Sequence, residues 1–259
     1  GMDMLKIADH KKHYDISAKA KTFAATRTYG RMMIPVGIHA GLSIPKDSVP
    51  ALSISHFDID IASLELSGEA RIKFHKDSLW TDSRIAIQEC NIDSLLRDLI
   101  KPFVPQAGKV STNALLSAEA SINGGYVYES GRLPQLSMTI SLPESDISYS
   151  DFPQSVKVAL QASAQTDSSR RINAVVKKAY LNTEGFELSA NGCISDALSE
   201  DPELGIHGMV KADIDTIASV FIPDSTGIRA KGFLNAEING NARLSELNIY
   251  NFAHSSLEG

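Results

Sequence analysis

Residues 91–105 read N-I-D-S-L-L-R-D-L-I-K-P-F-V-P, and here the pattern of the chain changes. Ile92, Leu95, Leu96, Leu99 and Ile100 recur at i, i+3, i+4, i+7 and i+8, which puts five aliphatic side chains on one helical face. Asp93 or Ser94 is expected to cap the start, since a side-chain oxygen there accepts from backbone N–H groups lacking an intrahelical partner. Pro102 and Pro105 mark the stop. A second such stretch, residues 213–223, reads D-I-D-T-I-A-S-V-F-I-P. Both are short amphipathic helices in a chain that otherwise alternates like β-strand.

Outward from the first helix, residues 64–74 carry the clearest alternation. Leu64, Leu66, Gly68, Ala70, Ile72 and Phe74 face one way, and Glu65, Ser67, Glu69, Arg71 and Lys73 the other. One dry side and one wet side is the mark of an antiparallel sheet. Residues 14–21, 33–44, 51–59, 84–90 and 111–122 read as further strands, with a turn at 45–50. Asn123-Gly124-Gly125 is expected to form a tight hairpin turn into a return strand at 126–128, because Asn-Gly tolerates positive φ. Residues 136–142, 156–165, 172–181, 185–194, 205–212 and 228–238 repeat this, again ending in Asn-Gly at 239–240. Residues 244–252 look strand-like.

The two helices start 122 residues apart, at 91 and 213. The same offset pairs Glu65-Leu66-Ser67 with Glu187-Leu188-Ser189, Ile72 with Ile194, Ile92-Asp93 with Ile214-Asp215, Val36 with Val158 and Ala40 with Ala162. After the helix, Ile122-Asn123-Gly124 matches Ile238-Asn239-Gly240 at 116. The expectation is a mainly β fold: curved, mostly antiparallel sheet built from two internal repeats, each closed by a short amphipathic helix. A loose segment 1–13 precedes repeat one at 14–135 (helix about 92–101) and repeat two at 136–259 (helix about 214–222). The helices are expected to cover an end or edge of the sheet.

Composition narrows function. The formal charge of −6 is scattered over both signs with no basic stripe, so nucleic acid is not an expected partner. Two cysteines, Cys90 and Cys193, make neither a metal set nor a disulfide framework. No apolar run approaches the roughly 20 residues that span a bilayer, and no signal peptide is present. Gly1 before Met2 reads as a cloning remnant, and the chain reads as part of a longer protein whose anchor or export signal lies outside it.

Catalytic and metal patterns are sparse. Ser43-Ile44-Pro45-Lys46 spells S-x-x-K, but Pro45 and Pro50 deny the helix that would bring Lys to Ser, and no K-T-G follows. Asp58-Ile59-Asp60 and Asp213-Ile214-Asp215 are D-x-D pairs able to hold a cation; helix capping explains the second better. His10, His13, His39, His56, His207 and His254 show no metal-ligand spacing. No enzyme activity, cofactor or metal is expected.

The amphipathic strands, the run strand–(Asn/Asp)-Ile-Asp–short helix–Pro, and the Ala-Glu-rich strands after it (residues 116–120 and 234–237) resemble the AsmA-like proteins, relatives of TamB in the repeating β-groove group. The likeness covers most of 33–241. It implies a periplasmic protein anchored in the inner membrane by a helix outside this sequence. It also implies a long groove with an apolar floor, linked to phospholipid movement and outer-membrane assembly, and no catalytic residues. The floor candidates are Ile38, Ala40, Leu64, Leu66, Ile72, Leu160, Ala162, Phe186, Leu188 and Ile194. In a closed β-sandwich or barrel the same residues would simply pack the core. Expected partners are phospholipid or another acyl-chain lipid, and other envelope-assembly proteins. The alternative is a structural module that docks proteins along its sheet edges without binding lipid.

Overall fold

The computed structural model describes residues 2–9, 13–26, 30–43, 49–152, 154–221, 230–246 and 256–258. In chain order they form β1 (Met2–Asp9), β2 (His13–Thr26), β3 (Gly30–Ser43), β4 (Ala51–Ile61), β5 (Leu64–Phe74) and β6 (Ser78–Asn91), followed by α1 (Ile92–Leu95). Then come β7 (Val110–Thr112), β8 (Leu115–Val127), β9 (Gln135–Tyr149), β10 (Val156–Thr166), β11 (Ile172–Thr183), β12 (Phe186–Ser195) and β13 (Glu203–Asp213). After β13 lie α2 (Ile214–Phe221), β14 (Phe233–Arg243) and β15 (Ser256–Glu258). The fold is mainly β with two short helices.

The chain divides into two units: Gly1–Lys109 with Leu115–Thr139 and Ser168–Arg170, and Val110–Ala114 with Ile140–Asp167 and Arg171–Gly259. The division falls inside β9, close to the boundary expected between repeats. In the first unit the hydrogen-bonded order is β1-β2-β3-β4-β5-β6-β8; in the second it runs β10 to β15 in sequence. β7 pairs with the end of β9, Val110 opposite Tyr149. Each of these pairs is antiparallel.

The repeat is visible in the ladders. Phe57 pairs with Gly68 and Ile54 with Ala70; 122 residues later Ala179 pairs with Ala190 and Val176 with Gly192. The β-bulge between Ile54 and Phe57 recurs between Val176 and Ala179. The ladders also correct the alignment at both ends. Ile59 and Leu181 are 122 apart, but their partners Ile38 and Val158 are 120 apart, because the stretch from Val158 to Leu181 is two residues longer than the stretch from Ile38 to Ile59. Ala40 therefore corresponds to Leu160 rather than to Ala162. Asn91 and Asp213 pair with Leu115 and Phe233, which are 118 apart rather than 116.

Neither Asn-Gly pair makes a turn. Asn123 and Gly124 lie inside β8 opposite Asp82 and Thr81, and Asn239 and Gly240 lie inside β14 opposite His207 and Ile206. A long neighbouring strand outweighs the local turn preference, since every residue carried along it gains a ladder partner. Gly124 retains a φ of +112°, a kink rather than a reversal. The chain reverses instead after β8, where Gly131 has φ +63° and Val127 bridges Arg132. Three further expectations are corrected. Met2–Asp9, read as loose, is a strand paired with β2. Residues 111–122 fall on two strands, β7, paired with β9, and β8, paired with β6. Leu244–Glu246 is a 3-10 turn.

The first helix cap also differs from expectation, whereas the capping expected at 213–215 is present. The α1 cap is Asn91, whose side chain accepts from the Ser94 amide at 3.0 Å. At the equivalent place the Asp213 carboxylate accepts from the amides of Asp215 (3.1 Å) and Thr216 (3.3 Å) and from the Thr216 hydroxyl (2.9 Å). α1 runs on into a π-helical turn, Leu96–Ile100, closed by the Lys101 amide on the Leu96 carbonyl at 2.7 Å. All five aliphatic residues of its apolar stripe are half-buried.

The buried apolar side chains are all small: Ala51, Cys90, Ala107, Ala114, Ala159, Ala212 and Ala242. Among the residues whose side chains are described, no Leu, Ile, Val, Phe or Met is buried. A sandwich or barrel core would bury these larger residues first. Here each strand packs mainly on its hydrogen-bonded neighbours, so within each unit the sheet is a single layer. Its stability rests on the ladders and on cross-strand side-chain pairs.

Candidate functional site

Residues directly opposite in an antiparallel ladder point to the same side, so the registers assign every strand face. In the first unit Leu64, Leu66, Ala70 and Ile72 of β5 pair with Ile61, Ile59, Ile54 and Leu52 of β4. Ile59 and Phe57 pair with Ile38 and Ala40 of β3. On the other side Gly68 pairs with Ile85, which pairs with Ala120 of β8. The result is one apolar face running from β3 to β8. The opposite face carries Glu65, Ser67, Glu69 and Arg71, and Arg84 and Glu119, whose ion pair spans 2.9 Å.

Bulges keep this face in phase. In β4 the apolar positions switch from even (Leu52, Ile54) to odd (Phe57, Ile59, Ile61). The extra residue at Ser55–His56 returns both sets to one side. Lys177–Lys178 does the same for Val176 and Ala179 in β11.

In the second unit Leu160 pairs with Ala179 and Ala162 with Val176. Ala179, Leu181 and Thr183 pair with Ala190, Leu188 and Phe186. Phe186, Leu188 and Ile194 pair with Ala212, Val210 and Leu204 of β13. The structure thus places Ile38, Ala40, Leu64, Leu66 and Ile72 on the apolar face of the first unit. It places Leu160, Ala162, Phe186, Leu188 and Ile194 on that of the second. Ile38 and Leu160 are exposed and the other eight half-buried.

The second unit's face contains a depression of about 410 Å³, with Val176, Ile194, Leu204 and Ile206 around the small residues Ala179, Ala190, Gly192, Gly240 and Ala242. Gly192 is required there: a Cβ would come within 2.5 Å of the Gly205 carbonyl oxygen. Sequence reading missed Phe57, Ile59, Ile85, Val176, Leu204 and Ile206. The parity switch inside residues 52–61 and 174–181 was the signal that would have recovered Phe57, Ile59 and Val176.

The remaining candidate chemistry is dispersed. Ser43 ends β3, and Ile44, Pro45 and Lys46 lie outside the described residues, as do His10, His254, Ile222 and Pro223. Asp58 and Asp60 sit in β4 opposite His39 and Gly37. Among the described residues no group of three or more His, Cys, Asp or Glu is placed to hold a metal ion. His39 and His56 approach with ring centroids 5.3 Å apart, both exposed. His207 bonds Asn239 and lies 3.8 Å from Glu237. Cys90 and Cys193 are free thiols, the first buried and the second exposed, and burial raises the Cys90 pKa. No helix among the described residues is long and apolar enough to cross a membrane.

What the described residues define in each unit is a single-layer antiparallel sheet with one apolar face. No family model matches the chain, and no curated protein or solved structure matches it.

Proposed function

We propose that the apolar faces bind the acyl chains of lipid, and that the protein is a non-enzymatic component of the cell envelope acting in phospholipid transport or outer-membrane assembly. The observation that carries the reading is an apolar face over which the described residues of its own unit place no second layer, and on which Ile38 is 40% and Ile206 51% exposed. Contiguous exposed apolar surface is a mark of a binding surface. Each methylene withdrawn from water gains about 0.8 kcal/mol, so an acyl chain along such a face binds without any polar anchor. The envelope setting rests on the sequence resemblance to AsmA-like proteins, which supports a periplasmic protein held at the inner membrane by a helix outside these 259 residues. On this reading other envelope-assembly proteins are partners.

The test is extraction of protein purified without detergent, followed by lipid mass spectrometry, together with titration by a fluorescent fatty acid. Stoichiometric phospholipid and saturable binding are expected. Lipid-free protein that also fails to bind the probe would remove the proposal.

A further inference from the structure

His39 of β3 and His56 of β4 stand on the polar face of the first unit, both exposed, with ring centroids 5.3 Å apart. The ladder explains the approach. His39 pairs with Asp58, and Gly41 pairs with His56, so the two histidines are diagonal neighbours across the strands. The residue directly opposite His56 has no side chain, and the space it would fill is taken. A Cβ on Gly41 would come within 2.8 Å of the His56 ring and 2.6 Å of the Ser55 hydroxyl. Asp58 and Asp60 follow His56 on the same face of β4, opposite His39 and Gly37, and their charge favours a cation there.

The bulge that sets the parity of β4 also fixes the His56 ring. The Ser55 hydroxyl donates to the Gly41 carbonyl at 3.3 Å and lies 3.3 Å from His56 Nδ1. With its one proton engaged, the hydroxyl accepts from Nδ1–H, which leaves the lone pair of His56 on Nε2. Metal-binding imidazoles are held in this way, one nitrogen donating to a fixed acceptor and the other turned to the ion. Two imidazoles that share one tetrahedral ion, at about 2.0–2.1 Å per nitrogen, keep their ring centroids about 5 Å apart. His39 and His56 already stand at that separation, so no backbone movement is needed to bring the rings together.

We propose that His39 and His56 form a two-imidazole site for a divalent transition metal ion of the Cu2+ and Zn2+ class, the ions that imidazole nitrogen suits. Among the described residues no set of three His, Cys, Asp or Glu is placed around an ion. Water therefore fills the other coordination positions, and the ion exchanges with solvent rather than holding the fold together. The spacing of the histidines in sequence carries no metal-ligand signal because the pairing of β3 with β4 brings them together.

The experiment is calorimetric titration of the intact protein with CuCl2, ZnCl2 and MgCl2 in a non-chelating buffer. Saturable binding is expected for Cu2+, weaker binding for Zn2+, and none for Mg2+, which takes oxygen ligands. His39→Ala and His56→Ala should each weaken Cu2+ binding at least tenfold. Ser55→Ala should weaken it several-fold through the freed His56 ring. His207→Ala, which removes an exposed histidine of the second unit, should leave it unchanged. All three histidines are exposed, so circular dichroism should show native folding in each variant. No saturable Cu2+ binding by the native protein, native binding in either His39→Ala or His56→Ala, or an equal loss in His207→Ala overturns the proposal. None of these outcomes bears on lipid, which the first unit would take on its opposite face.

Discussion

Phe57 faces Gly68 across β4 and β5, and a Cβ on Gly68 would come within 2.6 Å of the Phe57 ring and collide with the Arg84 carbonyl oxygen. At the same place in the second repeat stand Ala179 and Ala190. One repeat uses a large side chain beside none, the other two small ones. Gly68→Ala is expected to destabilise by about 1–3 kcal/mol, as overpacking does. Urea unfolding followed by circular dichroism reads this as a lower midpoint. An unchanged midpoint would show that β4 and β5 separate freely and that the ring over Gly68 has no structural role.

The two caps predict unequal losses. Asn91 offers one bond to the Ser94 amide, whereas Asp213 accepts from two amides and the Thr216 hydroxyl. Asn91→Ala should cost about 1 kcal/mol and Asp213→Ala up to about 2 kcal/mol. Thermal melts of the two variants compared with Ser94→Ala, which leaves the Ser94 amide in place, give the order. Equal melting temperatures for Asp213→Ala and the native protein would sink the capping assignment.

The helices themselves are less buried than a sheet-covering role suggests. Leu95 and Ile217 are half-buried rather than enclosed. Leu95→Asp and Ile217→Asp should each cost about 1–3 kcal/mol, the range for an unsatisfied polar group in a partly desolvated site. Native melting behaviour in both variants would mean that the helices rest on the sheet without supporting it.

The fold class was legible because alternation at 64–74 and the helical period at 92–100 are local properties of the residues. The strand ends and the turns were not. Asn123-Gly124 has the chemistry of a hairpin turn, but β6 runs alongside it and supplies partners through Val127. Pairing of that kind is set by a strand more than thirty residues away. That the ten candidates share the apolar faces was legible from alternation because strands β3, β5, β10 and β12 hold most of their apolar residues in one parity. β4 and β11 change parity at a bulge, and their contribution became clear only from the ladder. Small buried residues such as Ala159 and Ala212 carry no sequence signal that separates them from exposed alanines.

The two cysteines should report the folded state independently. Cys193 is exposed, whereas Cys90 is 2% exposed and burial raises its pKa, leaving less of the reactive thiolate at neutral pH. In native protein at neutral pH, iodoacetamide should modify Cys193 rapidly and Cys90 slowly. The Cys90 rate should climb as pH rises toward its elevated pKa, and both should react at one rate in denaturant. Peptide mass mapping identifies the sites. Equal native rates would mean that the end of β6 opens faster than the alkylation.

Ile206 and Met209 allow the apolar face to be tested against exposed apolar surface in general. Both lie on β13, 51% and 38% exposed, but on opposite faces of the sheet. Ile206 pairs with Gly192 and Gly240 beside the apolar depression, whereas Met209 pairs with Ser189 and Glu237 on the polar side. Since both are partly solvated, Ile206→Asn and Met209→Asn should each change stability by less than about 1 kcal/mol. If acyl chains lie along the face that holds Leu188, Ile194 and Leu204, Ile206→Asn will lower the affinity for a fluorescent fatty acid several-fold. Met209→Asn will leave it unchanged. Equal losses would show adhesion to any exposed apolar atom, and no loss in either would move the binding surface away from β13.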